Sequence, residues 1–316
     1  MADFDHFLRQ ISDEHGVFLR SEAVALGFDD GWLRRLRRNG TLHRVRHGAY
    51  VPAGVWEQAG PEERHVITAR AVVRTHADVV LSHHTASVLH GFDLWNAPLE
   101  QVHLTRMDAG AGRRERDVVH HVGLTLPEDV VTLDGVRVTA PARAALETAS
   151  LLDVERGLAV VDSGLRQRAY DAEQLNAQAR LMESWPHSQH LRVVASLADG
   201  RSGSVGESRT RYLLWRYNLP APTLQFEVYD ERGNLVAVVD FAWPEYRLIL
   251  EFDGKVKYQQ HLRPGESPSD AVFREKQRED AIRAATGWTV IRVTWDMLAT
   301  PGRLVEMIRA RLRSAA

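Results

Sequence analysis

Three carboxylates interrupt one of the most apolar stretches of this sequence. Asp240 lies in the run 236–241, and Glu251 and Asp253 lie at the end of the run 248–252. A short proline-containing turn separates the two runs, so the stretch predicts a buried β-hairpin. A buried carboxylate is energetically unfavourable unless it is paired or binds a metal. The acids therefore need a partner, and the chemistry of that partner is the first question.

The spacing of these acids indicates a metal site. Side chains alternate across a strand, so Glu251, Asp253 and Lys255 share one face, and Asp240 can meet them from the neighbouring strand. Carboxylate oxygens suit a hard cation such as Mg²⁺ or Mn²⁺, which can activate a water and stabilise charge on a phosphate. The alternative is a hairpin whose acids lie at exposed strand ends and pair with local arginines, because ion-pair networks imitate active sites.

Asp240 followed by Glu251-Phe-Asp253-Gly after an apolar strand resembles the PD-(D/E)XK nuclease superfamily, and within it the branch similar to very-short-patch-repair endonucleases. The resemblance covers about residues 200–316. It implies a restriction-endonuclease-like α/β fold, metal ligation by the three acids, and cleavage of DNA. It also implies that Glu207, predicted in the first turn of a helix, completes the site; an acid that suits the helix dipole explains Glu207 almost as well.

Two positions depart from the pattern of that family. Asp253 stands where the ExK form has lysine, and the histidine that often follows in this branch is replaced by Lys255-Val-Lys257. Lys255 is then the candidate for steadying the attacking hydroxide or the transition state. Lys276 and Arg278, on a helix predicted over 271–285, either contact the DNA phosphate or pair with the acids beside them.

The first 55 residues predict a winged helix-turn-helix. Short helices are expected over 4–15, after a Ser21 N-cap, and from Trp32 to Arg38 after a cap at Asp29 or Asp30, followed by a hairpin over 42–51. Between Gly31 and Gly48 there are six arginines and no acid. A basic face without nearby acid suits phosphate and major-groove contacts, which makes DNA-binding candidates of Arg34, Arg37, Arg38, Arg44 and Arg46. The alternatives are a solvated basic helix or a protein-docking module.

This region, with Gly40-Thr-Leu-His-Arg-Val-Arg-His-Gly-Ala-Tyr50, resembles the N-terminal domain of AbiEi-family antitoxins of type IV toxin–antitoxin systems. The order of elements that follows extends the resemblance over about residues 1–170. It implies DNA binding, repression of the protein's own operon, and a cognate toxin as a candidate partner.

Composition bounds the remaining possibilities. The chain has 316 residues, a net charge of −2 and no cysteine, which excludes disulfides, thiolate catalysis and cysteine-ligated zinc. Bases exceed acids by one in residues 1–55 and by three in 201–316, whereas acids exceed bases by six in 56–200. The two ends are therefore the candidate DNA-facing regions. With no membrane-length apolar run and no signal-peptide core, the sequence predicts a cytoplasmic protein.

Four histidines, His83, His84, His120 and His121, raise the possibility of zinc. We expect no zinc site there, because adjacent histidines on a strand or helix start point apart and no carboxylate has ligand spacing around them.

The predicted architecture is an α/β multidomain protein. A winged helix-turn-helix (1–55) is followed by an α+β antitoxin-like middle domain (56–198) and a PD-(D/E)XK endonuclease-like domain (199–316). The predicted function is metal-dependent DNA cleavage in defence, repair or a toxin–antitoxin module. The alternative is a non-catalytic DNA-binding regulator or antitoxin with a degenerate nuclease domain.

Overall fold

The chain is a mixed α/β protein with three sheets. It divides into two compact units, Met1–Leu152 and Asp153–Ala316, which we call the N-terminal unit and the C-terminal unit. The structure, a computed structural model, describes residues 8, 12, 15–76, 78–107, 110–123, 125–254 and 267–314. Within that part of the chain, no helix combines the length and the apolar composition that crossing a bilayer requires.

The N-terminal unit begins with two helices beside a small antiparallel sheet of order β1-β3-β2. Its elements are β1 (Phe18–Leu19), α1 (Arg20–Ala25), α2 (Asp30–Arg38), β2 (Leu42–Arg46) and β3 (Ala49–Pro52). Leu33 of α2 packs into a core with Phe18 and Tyr50. This arrangement is compatible with a winged helix. The helix expected over 4–15 falls largely outside the described residues.

The start of α1 differs from the prediction. The helix begins at Arg20, with Leu19 rather than Ser21 at the N-cap position. The Glu22 carboxylate accepts a hydrogen bond from the Leu19 backbone N–H at 2.7 Å. A carboxylate in the first turn therefore satisfies the helix end that the sequence analysis assigned to a serine hydroxyl.

A six-stranded mixed sheet of order β6-β7-β5-β4-β9-β8 forms the rest of the N-terminal unit. The pairs β5/β7 and β4/β9 are parallel, and the others are antiparallel. The helices are α3 (Ala53–Gln58), α4 (Pro61–Val73), α5 (His83–Leu89) and α6 (Pro141–Ser150), and the strands are β4 (Val79–Leu81), β5 (Val102–Arg106), β6 (Arg113–Arg114), β7 (Val118–His121), β8 (Val130–Leu133) and β9 (Val136–Thr139).

The C-terminal unit is built on a four-stranded sheet of order β10-β11-β12-β13, in which only the β12/β13 pair is parallel. The strands are β10 (Thr223–Tyr229), β11 (Leu235–Trp243), β12 (Leu248–Phe252) and β13 (Thr289–Val293). The helices are α7 (Val154–Arg166), α8 (Ala172–Leu181), α9 (Leu191–Leu197), α10 (Val205–Arg216), α11 (Pro268–Thr286), α12 (Trp295–Ala299) and α13 (Gly302–Ser314).

Two apolar clusters hold this sheet between helices. Phe241 and Leu250 pack with Ile308 of α13, whereas Ala242 and Ile249 pack with Ile282 of α11. Alternating side chains of the central hairpin thus reach different helices, as a strand with two covered faces requires.

The segment 198–204, which begins at the boundary predicted between the middle domain and the endonuclease-like domain, lies inside the C-terminal unit and is held by buried polar contacts. Asp162 of α7 is fully buried and pairs with Arg211 of α10 at 2.5 Å. Its other oxygen accepts from the Asp199 backbone N–H at 2.8 Å, and Arg211 donates to Ser202 at 2.9 Å. The segment is therefore fixed against α7 and α10.

Candidate nucleic-acid interface and carboxylate cluster

Helix α2 presents its arginines to solvent because both its start and its apolar side are fixed. The Asp29 carboxylate caps the helix by accepting from the Trp32 backbone N–H at 2.7 Å. Leu33 is buried in the core. Asp30 pairs with Arg20 at 2.6 Å, and the hydrogen bond from Arg20 lowers the pKa of the Asp30 carboxyl. The carboxylate nearest in sequence to the basic run is thus already paired with an arginine.

Five arginines of this region are exposed, four on α2 and one on β2: Arg34, Arg35, Arg37, Arg38 and Arg44. Their guanidinium groups form a basic surface next to the hairpin of β2 and β3, which we call the arginine surface. Such a surface suits contacts to phosphates and to guanine edges.

Arg46, also a predicted DNA contact, is placed differently. Its side chain is half-buried, and its Nε lies 3.4 Å from Asp117 while Nη1 donates to Thr75 at 3.5 Å. The pairing of Arg46 with an acid distant in sequence explains why the acid-free window 31–48 could not reveal it.

The hairpin itself carries a neutral histidine. The His43 ring stacks on Trp56 with centroids 4.3 Å apart. Burial, followed by the nearby charges of Arg64 and Arg37, lowers the pKa of His43. Positive charge on the hairpin therefore comes from arginine, whose guanidinium stays protonated.

In the C-terminal unit, two of the predicted ligands adjoin the last paired position of β11 and β12. Phe241 pairs with Leu250, and Asp240 and Glu251 are the next residues along their strands, just beyond that pair. Asp240 also accepts from the Phe252 backbone N–H at 2.8 Å.

Glu251 is held by an arginine from α11. Its side chain is 8% exposed, and its Oε1 lies 2.7 Å from Arg278 Nη2. The same nitrogen donates to the backbone carbonyl of Val238 at 2.8 Å. Arg278 thus faces the sheet and contacts the predicted metal ligand itself, whereas the sequence analysis offered DNA phosphate or acids on its own helix as its partners.

Asp253 belongs to a second ion-pair chain. Arg292 of β13 lies 3.5 Å from Asp253 and 2.9 Å from Glu279, which in turn pairs with Arg283 at 2.5 Å. The four side chains alternate in charge from the sheet to α11, so within the described residues this end of the hairpin follows the ion-pair alternative.

Glu207 lies in the first turn of α10, where the predicted helix begins. It accepts hydrogen bonds from the Gly203 backbone N–H at 2.7 Å, from Ser204 at 3.0 Å and from the Gln225 side chain at 3.1 Å. Gln225 has a φ of 50°, and the β10/β11 register sets it opposite Asp240. Glu207 is therefore connected to the hairpin through a glutamine.

Gly206 brings the start of α10 close to the sheet. A Cβ at this position would lie 2.0 Å from the Phe252 ring, a distance that excludes any side chain. The glycine is thus required for the close approach that places Glu207 near Gln225.

The carboxylates do not form a three-ligand group in the described part of the chain. No three of Asp240, Glu251, Asp253 and Glu207 are among the described sets with ligand atoms within 4.8 Å of one another. Two such sets exist, and both are rich in histidine: His83 with His103 and His121, and His76 with Glu115 and His120. Lys255 lies outside the described residues, and Lys276 is exposed on α11.

The histidine sets combine residues that are distant in sequence. Adjacent histidines do point apart, as expected, since His120 and His121 belong to different sets. His103 of β5 lies beside His121 of β7 through strand pairing, which spacing along the sequence does not reveal. Glu115 supplies the carboxylate that the spacing argument did not find. Alternation along β5 and β7 indicates faces, but the pairing of these strands is not visible in the sequence.

Two family models match segments within the first 198 residues. Residues 6–53 match the family model described as "Transcriptional regulator, AbiEi antitoxin", and residues 77–198 match that of the "AbiEi antitoxin C-terminal domain". A crystal structure of the RV2827C protein from Mycobacterium tuberculosis shares 14% identity, with 67% of this chain and 83% of that chain covered, at a TM-score of 0.37.

Two uncharacterized proteins of Mycobacterium tuberculosis, MT2308 of strain CDC 1551 and Rv2248 of strain H37Rv, are each 29% identical over 289 residues. Each match covers 88% of this chain and 95% of the relative, so it extends beyond residue 198. Residues 6–53 and 77–198 of this protein are thus similar to AbiEi antitoxins, the first in the transcriptional-regulator region and the second in the antitoxin C-terminal domain.

Proposed function

We propose that this protein is a DNA-binding transcriptional regulator of the AbiEi antitoxin type, acting with a cognate toxin. The observation that carries the proposal is the arginine surface, which lies inside the region matching the regulator family. Helix α2 is short, rigidly capped and basic on its exposed side, as a helix that enters a major groove must be. The promoter of the protein's own operon is the expected target.

The test removes charge from α2 without touching its core. Replacing Arg34, Arg37 and Arg38 together with alanine should weaken binding to promoter DNA, measured by fluorescence anisotropy over a range of salt concentrations. Each lost phosphate contact reduces the slope of log K against log salt by about 0.9, so three contacts reduce it by up to about 2.7.

A matched control removes the same charge elsewhere. Arg303, Arg311 and Arg313 are exposed on α13 of the C-terminal unit. Their triple alanine variant should keep the wild-type slope. Equal slopes for the α2 variant and wild-type protein would refute DNA binding through the arginine surface.

A second candidate function is metal-dependent endonuclease activity in the C-terminal unit. It is favoured by the position of Asp240 and Glu251 just beyond the last pair of β11 and β12, and by the hydrogen bond to Glu207 from Gln225, which the β10/β11 register sets opposite Asp240. The donor atoms suit Mg²⁺ or Mn²⁺. Their arrangement does not yet fit a metal, because Arg278 holds Glu251 and three carboxylates do not converge within the described residues.

The nuclease candidate has its own test. Asp240→Asn and Glu251→Gln keep side-chain volume but remove charge, so each should abolish any nicking of plasmid DNA that Mg²⁺ or Mn²⁺ supports. Loss of a metal ligand corresponds to about a hundredfold or more in rate. DNA binding by the arginine surface should survive both changes. If wild-type protein binds DNA but cleaves no nucleic acid with any divalent metal, the nuclease function is refuted and the regulator function remains.

A further inference from the structure

Three imidazoles from separate elements converge in the N-terminal unit. His83 begins α5, His103 lies on β5 and His121 ends β7, and one nitrogen of each lies within 4.8 Å of the nitrogens of the other two. The parallel register pairs Thr105 with His121, so His103 and His121 project from the same face of the sheet. The His83 ring stacks on His121 with centroids 3.6 Å apart.

Two of the rings are already close to the geometry of metal ligands. His103 Nδ1 lies 2.9 Å from His121 Nε2. Two nitrogens that bind one tetrahedral zinc ion at about 2.0–2.1 Å are about 3.3 Å apart. Tetrahedral coordination therefore requires the two nitrogens to separate by a few tenths of an ångström and both rings to turn until one lone pair of each points at the ion.

His83 is held in an unfavourable backbone conformation that fixes its ring. Its φ is 51°, in the left-handed region, where a non-glycine residue is destabilised by about 1–3 kcal/mol. The Glu147 carboxylate accepts from the His83 backbone N–H at 3.2 Å, and Ser82 Oγ lies 2.9 Å from His83 Nδ1. An Nδ1–H that donates to Ser82 leaves the lone pair on Nε2. Partners of this kind orient metal-binding histidines in many proteins.

The charged groups around the cluster balance one another. Arg143 lies 2.8 Å from Glu147 and 2.6 Å from Asp129, so two carboxylates share one guanidinium beside His83. The Glu147 side chain is almost fully buried, and Glu147 Oε2 lies 3.8 Å from His83 Nδ1. Arg114, which is exposed on β6, brings the sum of these four charges to zero. The case for a metal ion therefore rests on the three imidazoles and not on local charge.

The imidazoles are neutral near pH 7, as metal binding requires. Burial, followed by the neighbouring imidazoles, lowers the pKa of His83 well below its usual value and that of His103 to about 2. Burial, followed by Arg114, lowers the pKa of His121 to about 4. These lowered pKa values agree with the geometry, and the proposal depends on the positions of the rings.

We propose that His83, His103 and His121 bind one divalent transition-metal ion, for which Zn²⁺ is the best match. Three imidazoles suit a borderline metal better than Mg²⁺ or Ca²⁺, which prefer oxygen. His83 and His103 are buried, whereas His121 is partly exposed. A fourth position is therefore open on the side of His121, where a water or an external ligand completes a tetrahedral site.

The adjacent residue His120 supplies an internal control. It lies on the opposite face of β7 from His121 and belongs to the second set, with His76 and Glu115. In that set Glu115 already pairs with Arg113 at 2.9 Å. His121→Ala and His120→Ala therefore remove the same side chain from the two faces of one strand, and only His121→Ala removes a proposed ligand.

The experiment uses the full chain without a polyhistidine tag, freed of metal by chelator dialysis. Zn²⁺ is titrated in competition with a chromophoric chelator, and Co²⁺ is added separately to record its visible absorption. Wild-type protein should bind one equivalent of Zn²⁺ and give the intense d–d bands of tetrahedral Co²⁺. His121→Ala should weaken Zn²⁺ binding by about 100-fold or more, since changes in supporting residues alone weaken it about 10–100-fold. His120→Ala should leave the affinity within about threefold.

Three results would overturn the site. The first is wild-type protein that binds neither Zn²⁺ nor Co²⁺, a result that depends on no variant. The second is His121→Ala with wild-type affinity, and the third is loss of binding in His120→Ala alone, which would place the ion in the other set. Thermal melts of both variants show whether they fold, and His103→Ala provides a second replacement within the site.

Discussion

Replacing Arg278 with alanine should destabilise the C-terminal unit, because it removes the Arg278 ion pair from the buried Glu251 carboxylate. Removing one partner of a buried pair destabilises a protein by about 3–5 kcal/mol. Here Glu251 is 8% exposed but Arg278 is 33% exposed. Solvent screening therefore reduces the expected loss to about 1–3 kcal/mol. In a unit of this size, 2 kcal/mol corresponds to about 4–8 °C in Tm.

A second substitution isolates the cause of that loss. Adding Glu251→Gln to Arg278→Ala removes the buried charge that has lost the Arg278 ion pair, so the double variant should be more stable than Arg278→Ala alone. Arg283→Ala is the matched control on the same helix, since Arg283 is 54% exposed and pairs with Glu279. That control should change stability by less than about 1 kcal/mol.

Differential scanning calorimetry and urea denaturation measure these differences. The reasoning is refuted if Arg278→Ala melts like wild-type protein, or if Glu251→Gln brings no recovery. Repeating the melt of Arg278→Ala with millimolar Mn²⁺ tests whether Glu251 binds a metal, as the endonuclease function requires and the regulator function does not. Recovery of Tm with metal, absent in the double variant, would show that Glu251 can ligate a cation once Arg278 is gone.

Three further perturbations test other parts of the structure. Gly206→Ala should destabilise the C-terminal unit by about 1–3 kcal/mol or more, because its Cβ would lie 2.0 Å from the Phe252 ring; a urea midpoint equal to that of wild-type protein would contradict this contact. Arg211→Met should destabilise the same unit by about 3–5 kcal/mol by leaving fully buried Asp162 unpaired, and Asp162→Asn added to it should recover stability in the same assay. Burial lowers the pKa of His90 below 6.5, so the unfolded chain takes up a proton first as the pH falls. The stability contributed by neutral His90 is therefore present above about pH 6.5 and lost below it, and His90→Gln should flatten the acid side of the stability profile.

Much of the secondary structure follows from sequence pattern. The helix at Asp30–Arg38 with its aspartate cap and the hairpin of Leu235–Trp243 and Leu248–Phe252 agree closely with expectation. Each combines a strong apolar period with an unambiguous end signal, and those are local properties. The predicted start of α1 was wrong because Ser21 and Glu22 can both satisfy the backbone N–H groups of a helix terminus. Local sequence does not decide between the two residues.

The candidate sites show where local pattern stops being sufficient. The exposure of Arg34 and Arg38 follows from helical periodicity, but the pairing of Arg46 with Asp117 joins positions far apart in sequence. Likewise, the meeting of His103 with His121 depends on a parallel pairing of strands. Such contacts are set by tertiary packing, and a single sequence carries little information about them.

The parallel pair formed by β12 and β13 also bears on the order in which the C-terminal unit can fold. Leu248–Phe252 is buried along its whole length, yet one of its two neighbours, Thr289–Val293, is synthesised only after the intervening α11. Until then, an apolar strand edge stays uncovered, and such edges promote association between nascent chains. The apolar cluster of Phe241 and Leu250 is likewise complete only after Ile308 of α13 has been synthesised. The described strands of the N-terminal unit all precede residue 140, so its sheets can form while the rest of the chain is still being translated, whereas the sheet of the C-terminal unit is completed only by β13.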